Sequence, residues 1–302
     1  MLKVVFLYPQ KNHVQKLEDF FEFAEKNGVL CYIASITAYE TASSKFSHAN
    51  RFTKGGWVSE KSVIPDIIFD KTTASIETEL SRIRRHISET FSFINKLELN
   101  ELCTNKWETY KLFPDISPKS VLVTSNSDIG KVRTLPSTMV VSKPLRGFGG
   151  TGIRVLEKST FQPNIDGPFL VQEFIETKKG IPGITKKRHD LRILMLNAIP
   201  FHSIIRTPEA GSFLSNMAQG GKVTVVPIDS LPNKVIQIIE TVSDTLSKFF
   251  PALYSIDIML DETGTAFLTE LNSRPALSLA SSEIPFREPY YKSIITFLKN
   301  IV

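Results

Sequence analysis

The stretch VVSKPLRGFGGTGIRVLEK, Val140–Lys158, decides the fold. Its centre, Gly147-Phe148-Gly149-Gly150-Thr151-Gly152, has the G-x-G-x-x-G spacing of a dinucleotide-binding turn. Such a turn must open a helix whose first N–H groups hold a pyrophosphate. The residues that follow, Ile153-Arg154-Val155-Leu156-Glu157, are β-branched or alternating and predict a strand. Thr138–Ser142 predicts another, so the glycines join two adjacent antiparallel strands. A P-loop fails too, because its lysine follows the glycines, whereas Lys143 precedes them. What survives is a loop that brings backbone N–H groups close to phosphate oxygens, with Lys143 as a point charge at its base. A plain glycine hairpin with a surface lysine accounts for the same residues.

Composition bounds the alternatives. A chain of 302 residues suits two domains or one large one, and an apolar share of 42% is ample for real cores. The apolar runs fall short of membrane-spanning length, and the start reads as a buried strand rather than a signal peptide. Two cysteines, Cys31 and Cys103, make neither a disulfide framework nor a zinc site. A net charge of +5 permits acidic partners without demanding nucleic acid. A cytoplasmic protein is expected, with no membrane or nucleic-acid partner, and homo-oligomerisation stays open.

Hydrophobic periodicity predicts strands at 3–8, 29–35 and 65–69 and helices at 14–27 and around Ile76–Ile87. This order suggests a small α/β domain over residues 1–97. The polar stretch 40–60 reads as a loop. From 98 to 302 short strands dominate, at 120–123, 138–142, 153–157, 168–174, 190–197 and 201–206. A short helix near 103–113 precedes them, a helix at 232–249 follows, and a last helix closes the chain. Few helices among antiparallel strands indicate α+β rather than a doubly wound sheet.

The second informative stretch is Tyr254–Asn272. Two apolar runs flank Thr263-Gly264, which predicts a two-residue hairpin turn with Glu262 facing Thr265. That register puts Asp257 opposite Glu270, and alternation puts Asn272 on the same face. Opposed like charges are destabilising unless compensated. A divalent cation such as magnesium, which prefers oxygen ligands, is the natural compensation. A polar outer face of a hairpin is the simpler alternative.

The order Asn105-Lys106, Lys143-Pro144, Val171-Gln172-Glu173-Phe174-Ile175, Asp190-Leu191-Arg192, Arg206, Ser215-Asn216, Asp257 and Glu270-Leu271-Asn272 resembles the ATP-grasp superfamily over residues 103–275. It is most similar to the ribosomal-protein glutamate ligase and glutathione synthetase branch, and Asn105–Tyr110 also resembles spore-coat-associated ATP-grasp proteins. The resemblance implies two α+β lobes clasping ATP, about 98–170 and 171–302, preceded by a substrate-binding α/β domain. It implies that Lys106 and Lys143 contact ATP phosphates under the Gly147–Gly152 loop, Gly149, Gly150 and Thr151 included. Gln172, Glu173, Phe174 and Ile175 would form the adenine hinge, and Asp190 would meet the ribose. Arg206 and Asn216, beside Ser215, would sit near the transferring phosphoryl group. Asp257, Glu270 and Asn272 would hold Mg2+. Arg192 reads either as catalytic or as a sheet-edge ion pair, and His189 reads as a loop residue.

Departures from the ribosomal-protein ligases fall on the substrate side. Leu214 stands where they carry Arg, and Asn272 is followed by Ser273-Arg274-Pro275. An insertion, Thr177–His189, carries five cations among glycines and prolines and reads as a mobile surface loop, either simply solvated or a lid. Arg274 is the candidate binder of a substrate carboxylate. The implied activity is an ADP-forming carboxylate–amine ligase using ATP and Mg2+ on a small carboxylate and an amine or peptide. A small-molecule kinase of the same fold and a non-catalytic nucleotide-binding protein are the alternatives.

Overall fold

The computed structural model describes residues 1–9, 17–72, 78–147, 149–162, 167–209, 213 and 221–301. In chain order the elements begin with β1 (Leu2–Tyr8), α1 (Glu18–Lys26), β2 (Val29–Ser35), β3 (Tyr39–Glu40), β4 (Lys45–Thr53), β5 (Gly56–Val63) and β6 (Ile67–Asp70). There follow α2 (Thr78–Thr90), β7 (Ser92–Ile94), α3 (Leu97–Thr104), α4 (Lys106–Leu112), β8 (Ser120–Val123) and α5 (Ile129–Arg133). Next come β9 (Met139–Pro144), β10 (Arg154–Glu157), β11 (Phe169–Glu173), β12 (Asp190–Leu196), β13 (Ile199–Thr207) and β14 (Lys222–Val225). The chain ends with α6 (Asn233–Leu246), β15 (Leu253–Leu260), β16 (Ala266–Asn272) and α7 (Arg287–Lys299). The mixed α+β content matches expectation. No described helix is long and apolar enough to cross a membrane.

One compact unit contains residues 1–100, 248–253 and 273–302. Its seven-stranded sheet runs β3-β4-β2-β1-β6-β7, with β5 added on β4. β1 pairs in parallel with β2 and β6, and Val4–Leu7 are wholly buried, as a strand covered on both faces requires. Phe6 meets Phe20 and Phe21 of α1, at centroid distances of 6.2 and 5.3 Å. The segment 273–302, expected with the second domain, clusters in this unit. The reason is aromatic packing, since Tyr291 of α7 meets Phe20 and Phe23 at 5.2 and 5.6 Å.

The stretch 40–60 is not a loop. It forms most of the β4–β5 hairpin, with Phe52 opposite Trp57 and Thr53 opposite Gly56. Its polarity hid it, because cross-strand pairs rather than a continuous apolar face hold it together. Phe52 and Trp57 pack at 5.4 Å, and Arg51 donates from Nε to Glu60 at 2.8 Å.

The second unit contains residues 101–247 and 254–272. It has a four-stranded sheet, β10-β9-β11-β8, and a five-stranded sheet, β14-β13-β12-β15-β16. β9 and β10 pair antiparallel, Arg154 opposite Ser142, so the glycine loop sits at a hairpin tip and opens no helix. α6 buries Val235, Ile238, Ile239, Val242 and Leu246, the stripe that its periodicity predicts.

Candidate functional site

The site in the second unit is built outward from the glycine hairpin. Gly152 has φ +76°, and a Cβ there would lie 2.7 Å from Pro144 Cγ, so the return of the loop onto β9 requires glycine. Asn105 caps α4 by accepting the Trp107 N–H at 3.1 Å. This places Lys106 at the first helical position, where its N–H donates to the Leu145 carbonyl and its Nζ to the Gly147 carbonyl at 3.1 Å. Lys106 thus holds the base of the loop. Phe148 lies outside the described residues.

Lys143 Nζ donates to Gln172 Oε1 at 2.8 Å, and Gln172 Nε2 donates to Ser120 Oγ at 2.9 Å. β9 and β11 are thereby tied through side chains as well as backbone. Burial pushes the Lys143 ammonium down, Glu270 opposes that and Lys106 adds to it, leaving a pKa of about 8. Below about 8 the proton is bound in both folded and unfolded states, so the cost of burying the charge is fully present. That cost is relieved as pH rises from about 8 toward the ordinary lysine value. Lys143→Met is therefore expected to raise the thermal midpoint of the ligand-free protein at pH 7, by an amount that shrinks above pH 8. Differential scanning calorimetry at pH 7 and 9.5 checks this, and a lower midpoint at pH 7 would contradict it.

β11 ends in Gln172 and Glu173, the start of the segment expected to form the adenine hinge. Glu173 N–H donates to the Lys119 carbonyl at 2.9 Å, while its carboxylate accepts the Lys119 N–H at 2.6 Å. Phe174 N–H points at Met139 O and Ser137 Oγ, at 3.2 and 3.1 Å. Both backbone donors are engaged inside the protein.

Alternation along β12 puts Asp190 and Arg192 on one face, and β13 brings Arg206 opposite Asp190. Arg192 grips Asp257 of β15 with both arms of its fork, Nε to Oδ1 and Nη2 to Oδ2, each at 2.7 Å. Arg206 Nη2 donates to Asp257 Oδ2 at 2.7 Å and also to Asp190 Oδ2. Arg192 is therefore no sheet-edge residue, since β12 is the central strand of its sheet. Burial pushes the Asp257 carboxyl up, but Arg192 and Arg206 outweigh it and hold the group well below the usual range. Asp190 goes the other way: burial and the charge of Asp257 exceed the pull of Arg206 and raise it. Burial works against the Arg206 charge, and the two carboxylates more than restore it.

Asp257 stands opposite Glu270, as expected, but by another route. The turn is not Thr263-Gly264 alone. Leu260 pairs with Ala266, and the Asp261 carboxylate accepts the N–H groups of Thr263 and Thr265, at 2.8 and 2.9 Å. A register shift between Asp257 and Ile258 then restores the Asp257–Glu270 pairing and sets Asn272 opposite Ser255. Glu270 Oε1 lies 3.8 Å from Lys106 Nζ. Among the described residues no three His, Cys, Asp or Glu side chains cluster as a metal site. The candidate set is two carboxylates and an amide, and Asp257 already accepts three guanidinium N–H bonds. A carboxylate has about four lone-pair positions, so room is left for a single cation contact. Hard oxygen donors of this kind fit Mg2+.

Lys143, Gln172, Glu173, Phe174, Ile175, Asp190, Asp257 and Glu270 all line one cleft of about 830 Å3. Lys106 lines a smaller neighbouring cavity of about 320 Å3, which shares Gln172 and Glu270 with the first. Arg192 and Arg206 reach the cleft through Asp257. Ser215 and Asn216 lie outside the described residues, as does Leu214. Arg274 belongs to the first unit, where its Nη1 donates to the Thr72 carbonyl. Lys71 answers from the other side, Nζ to the Pro275 carbonyl at 2.8 Å. Burial and Arg274 bring its pKa down to about 7, which nothing in the sequence around it signals.

The segment 177–189 is a folded loop rather than an extended lid. Ile181 is wholly buried and bridges to Thr185, and a Cβ on Gly180 would run into the Thr185 carbonyl. His189 is buried, its N–H on Thr177 Oγ1 and its Nε2 accepting the Leu260 N–H, both at 3.3 Å. Accepting at Nε2 requires the neutral ring, consistent with burial lowering its pKa. This histidine ties the loop to β15, a role the sequence does not disclose.

Residues 106–274 match the family model described as the ATP-grasp domain of prokaryotic glutathione synthetase. A glutathione synthetase of Bordetella parapertussis is 32% identical over 168 residues, 53% of this chain and 48% of the relative. One from Prochlorococcus marinus is 32% identical over 151 residues, 46% of each chain. The chain spans about half the length of the curated relatives it matches. In fold it resembles a Chryseobacterium gregarium RiPP-associated ATP-grasp ligase solved with ADP and a leader and core peptide. That match has a TM-score of 0.67 and 15% identity, covering 100% of this chain and 98% of the other. D-alanyl-alanine synthetase A from Vibrio cholerae gives a TM-score of 0.64 at 13% identity, covering 99% and 98%.

Proposed function

Because the chain belongs to the ATP-grasp domain family of prokaryotic glutathione synthetase, we propose that it is an ATP-dependent, ADP-forming carboxylate–amine ligase. The observation that carries this is the cleft itself, where Lys143 and the opposed pair Asp257 and Glu270 line one enclosure with the hinge segment Gln172–Ile175. The Phe174 ring and the apolar Ile175 side chain of the hinge suit a base. The lysines and glycine-loop N–H groups suit phosphates.

ATP lies with its base at the hinge, and Asp190 is the candidate ribose contact. Lys106 and Lys143 take phosphate oxygens, with the Gly147–Gly152 loop above them. Asp257, Glu270 and Asn272 would hold Mg2+, which when bound would neutralise charge developing on the phosphate oxygens. A substrate carboxylate oxygen attacks the γ-phosphorus, the bond to the β-phosphate oxygen breaks, and ADP leaves. The acyl phosphate then meets the amine, whose lone pair attacks the carbonyl carbon. Phosphate departs with the C–O electron pair, and the ammonium proton passes to solvent. Arg206 is held by its two carboxylates and Arg192 by Asp257, so both bear on phosphoryl charge from fixed positions. Arg274, with its planar fork, is the candidate anchor of an acidic amino acid or peptide. The first unit is the proposed substrate domain.

The test is product analysis with ATP, Mg2+ and a library of amino acids and short peptides. Ligation gives ADP, free phosphate and an amide in equal amounts, and hydroxylamine diverts the acyl phosphate to a hydroxamate. A stable phosphorylated small molecule without free phosphate would make the protein a kinase and overturn the proposal.

A further inference from the structure

The lining of the cleft is chemically mixed. It includes the ionic groups Lys143, Asp257 and Glu270 and the apolar groups Phe174, Ile175 and Pro208. Among them Arg188 lies 4.7 Å from the ring centroid of Phe213 and 5.7 Å from that of Phe174. The two rings meet edge to face, 5.4 Å apart at 89°. Arg188 Nη2 donates to Glu176 Oε2 at 2.8 Å, which fixes the plane of the guanidinium and offsets its charge. All three groups line the cleft.

Two features decide what this group serves. The Glu176 carboxylate makes Arg188 a poor collector of anions, which argues against a basic lid that draws in acidic substrate. Phe213 is 45% exposed, unusual for a large ring, and it leaves apolar surface turned toward the cleft. A planar, weakly hydrated guanidinium beside aromatic faces is suited to a flat heteroaromatic ring, which it can stack upon while offering N–H donors to ring nitrogens. Arg188 occupies this place because the folded 177–189 loop delivers it. Ile181 and His189 anchor the loop, and Arg188 directly precedes the buried His189.

We propose that Arg188, framed by Phe174 and Phe213, is a base-recognition residue that stacks on the nucleobase of a purine nucleoside triphosphate. This rests on the ATP reading above and adds to it a residue from the inserted loop. The alternative is that Arg188 merely staples the loop through Glu176. The two roles differ in what they do to ligands with and without a base.

The experiment measures binding of ATP and of inorganic tripolyphosphate by isothermal titration calorimetry to the wild-type chain, Arg188→Met and Phe213→Ala. Base recognition predicts that each variant weakens ATP binding about tenfold, the size of a partly exposed stacking contact, while tripolyphosphate binding stays within about twofold. Equal losses for both ligands, or no loss for ATP in either variant, would overturn the assignment in favour of a structural loop residue. Phe213→Ala leaves the Glu176 contact and the loop anchors in place, so it answers even where Arg188→Met disturbs folding. A wild-type chain that binds tripolyphosphate but not ATP would overturn base recognition alone. One that binds neither would overturn the ligase reading with it.

Discussion

Glu270→Gln is expected to lower Mg2+-dependent ADP release by at least about a hundredfold while the protein stays folded, because it removes a full charge from the proposed hard-cation site. The side chain is 34% exposed and its near ionic neighbour is Lys106 at 3.8 Å, so little stability depends on it. Gln keeps the shape and the acceptor oxygen, which confines the change to charge. Asn272→Ala is expected to act in the same direction. A second effect separates this from generic damage. Glu270 is the leading group that opposes the depression of the Lys143 ammonium. Without it Lys143 releases its proton at lower pH than the wild-type value near 8, so residual turnover falls off earlier on the alkaline side. Steady-state ADP release across a Mg2+ titration at pH 7 and 8.5 measures both. Turnover unaltered in either variant would remove the hairpin from the metal site.

The parts of this site legible in sequence are those governed by short-range periodicity. The strands flanking the glycine loop declared themselves through β-branched residues, and their pairing follows from the short connection. Simple alternation from Thr263-Gly264 opposes Asp257 and Glu270 even though the turn is longer, because the bulge offsets the one-residue difference. What sequence spacing cannot carry is tertiary. It assigns Arg192 and Arg206 one by one, whereas the fold makes them a single buried network with Asp190 and Asp257. It reads 40–60 as a loop because cross-strand pairs such as Arg51 with Glu60 look merely polar in one dimension. It groups α7 by position with residues before it, whereas the ring of Tyr291 groups it with α1. Arg188 was one of five cations in a loop, and only its two aromatic neighbours distinguish it from the rest.

Asp257→Asn is expected to cost the largest stability loss, about 3–5 kcal/mol, because it breaks a buried pair on one side and leaves cations behind. Asp257 is 2% exposed and accepts from both Arg192 and Arg206. An Asn amide keeps one acceptor oxygen but turns an NH2 toward guanidinium donors. Among the described residues Arg206 then keeps Asp190 as its ion-pair partner, a carboxyl whose own pKa is raised. The pH dependence gives a check on the sign. Asp257 is depressed to about 2, so its contribution is present above the unfolded value near 3.9 and is lost as pH falls through about 2. Asp190 is raised to about 6, so the folded state holds its proton longer, and its ionisation lowers stability as pH climbs from about 4 to 6. Asp190→Asn should therefore cost less than Asp257→Asn at pH 5 and should flatten the wild-type slope between pH 4 and 6. Urea unfolding at pH 4, 5, 6 and 7, followed by far-UV circular dichroism, measures all three proteins. A midpoint for Asp257→Asn equal to wild type would mean that Arg192 and Arg206 find their counter-charge elsewhere, and Asp257 would then be bound to the cation site rather than to the frame of the sheet.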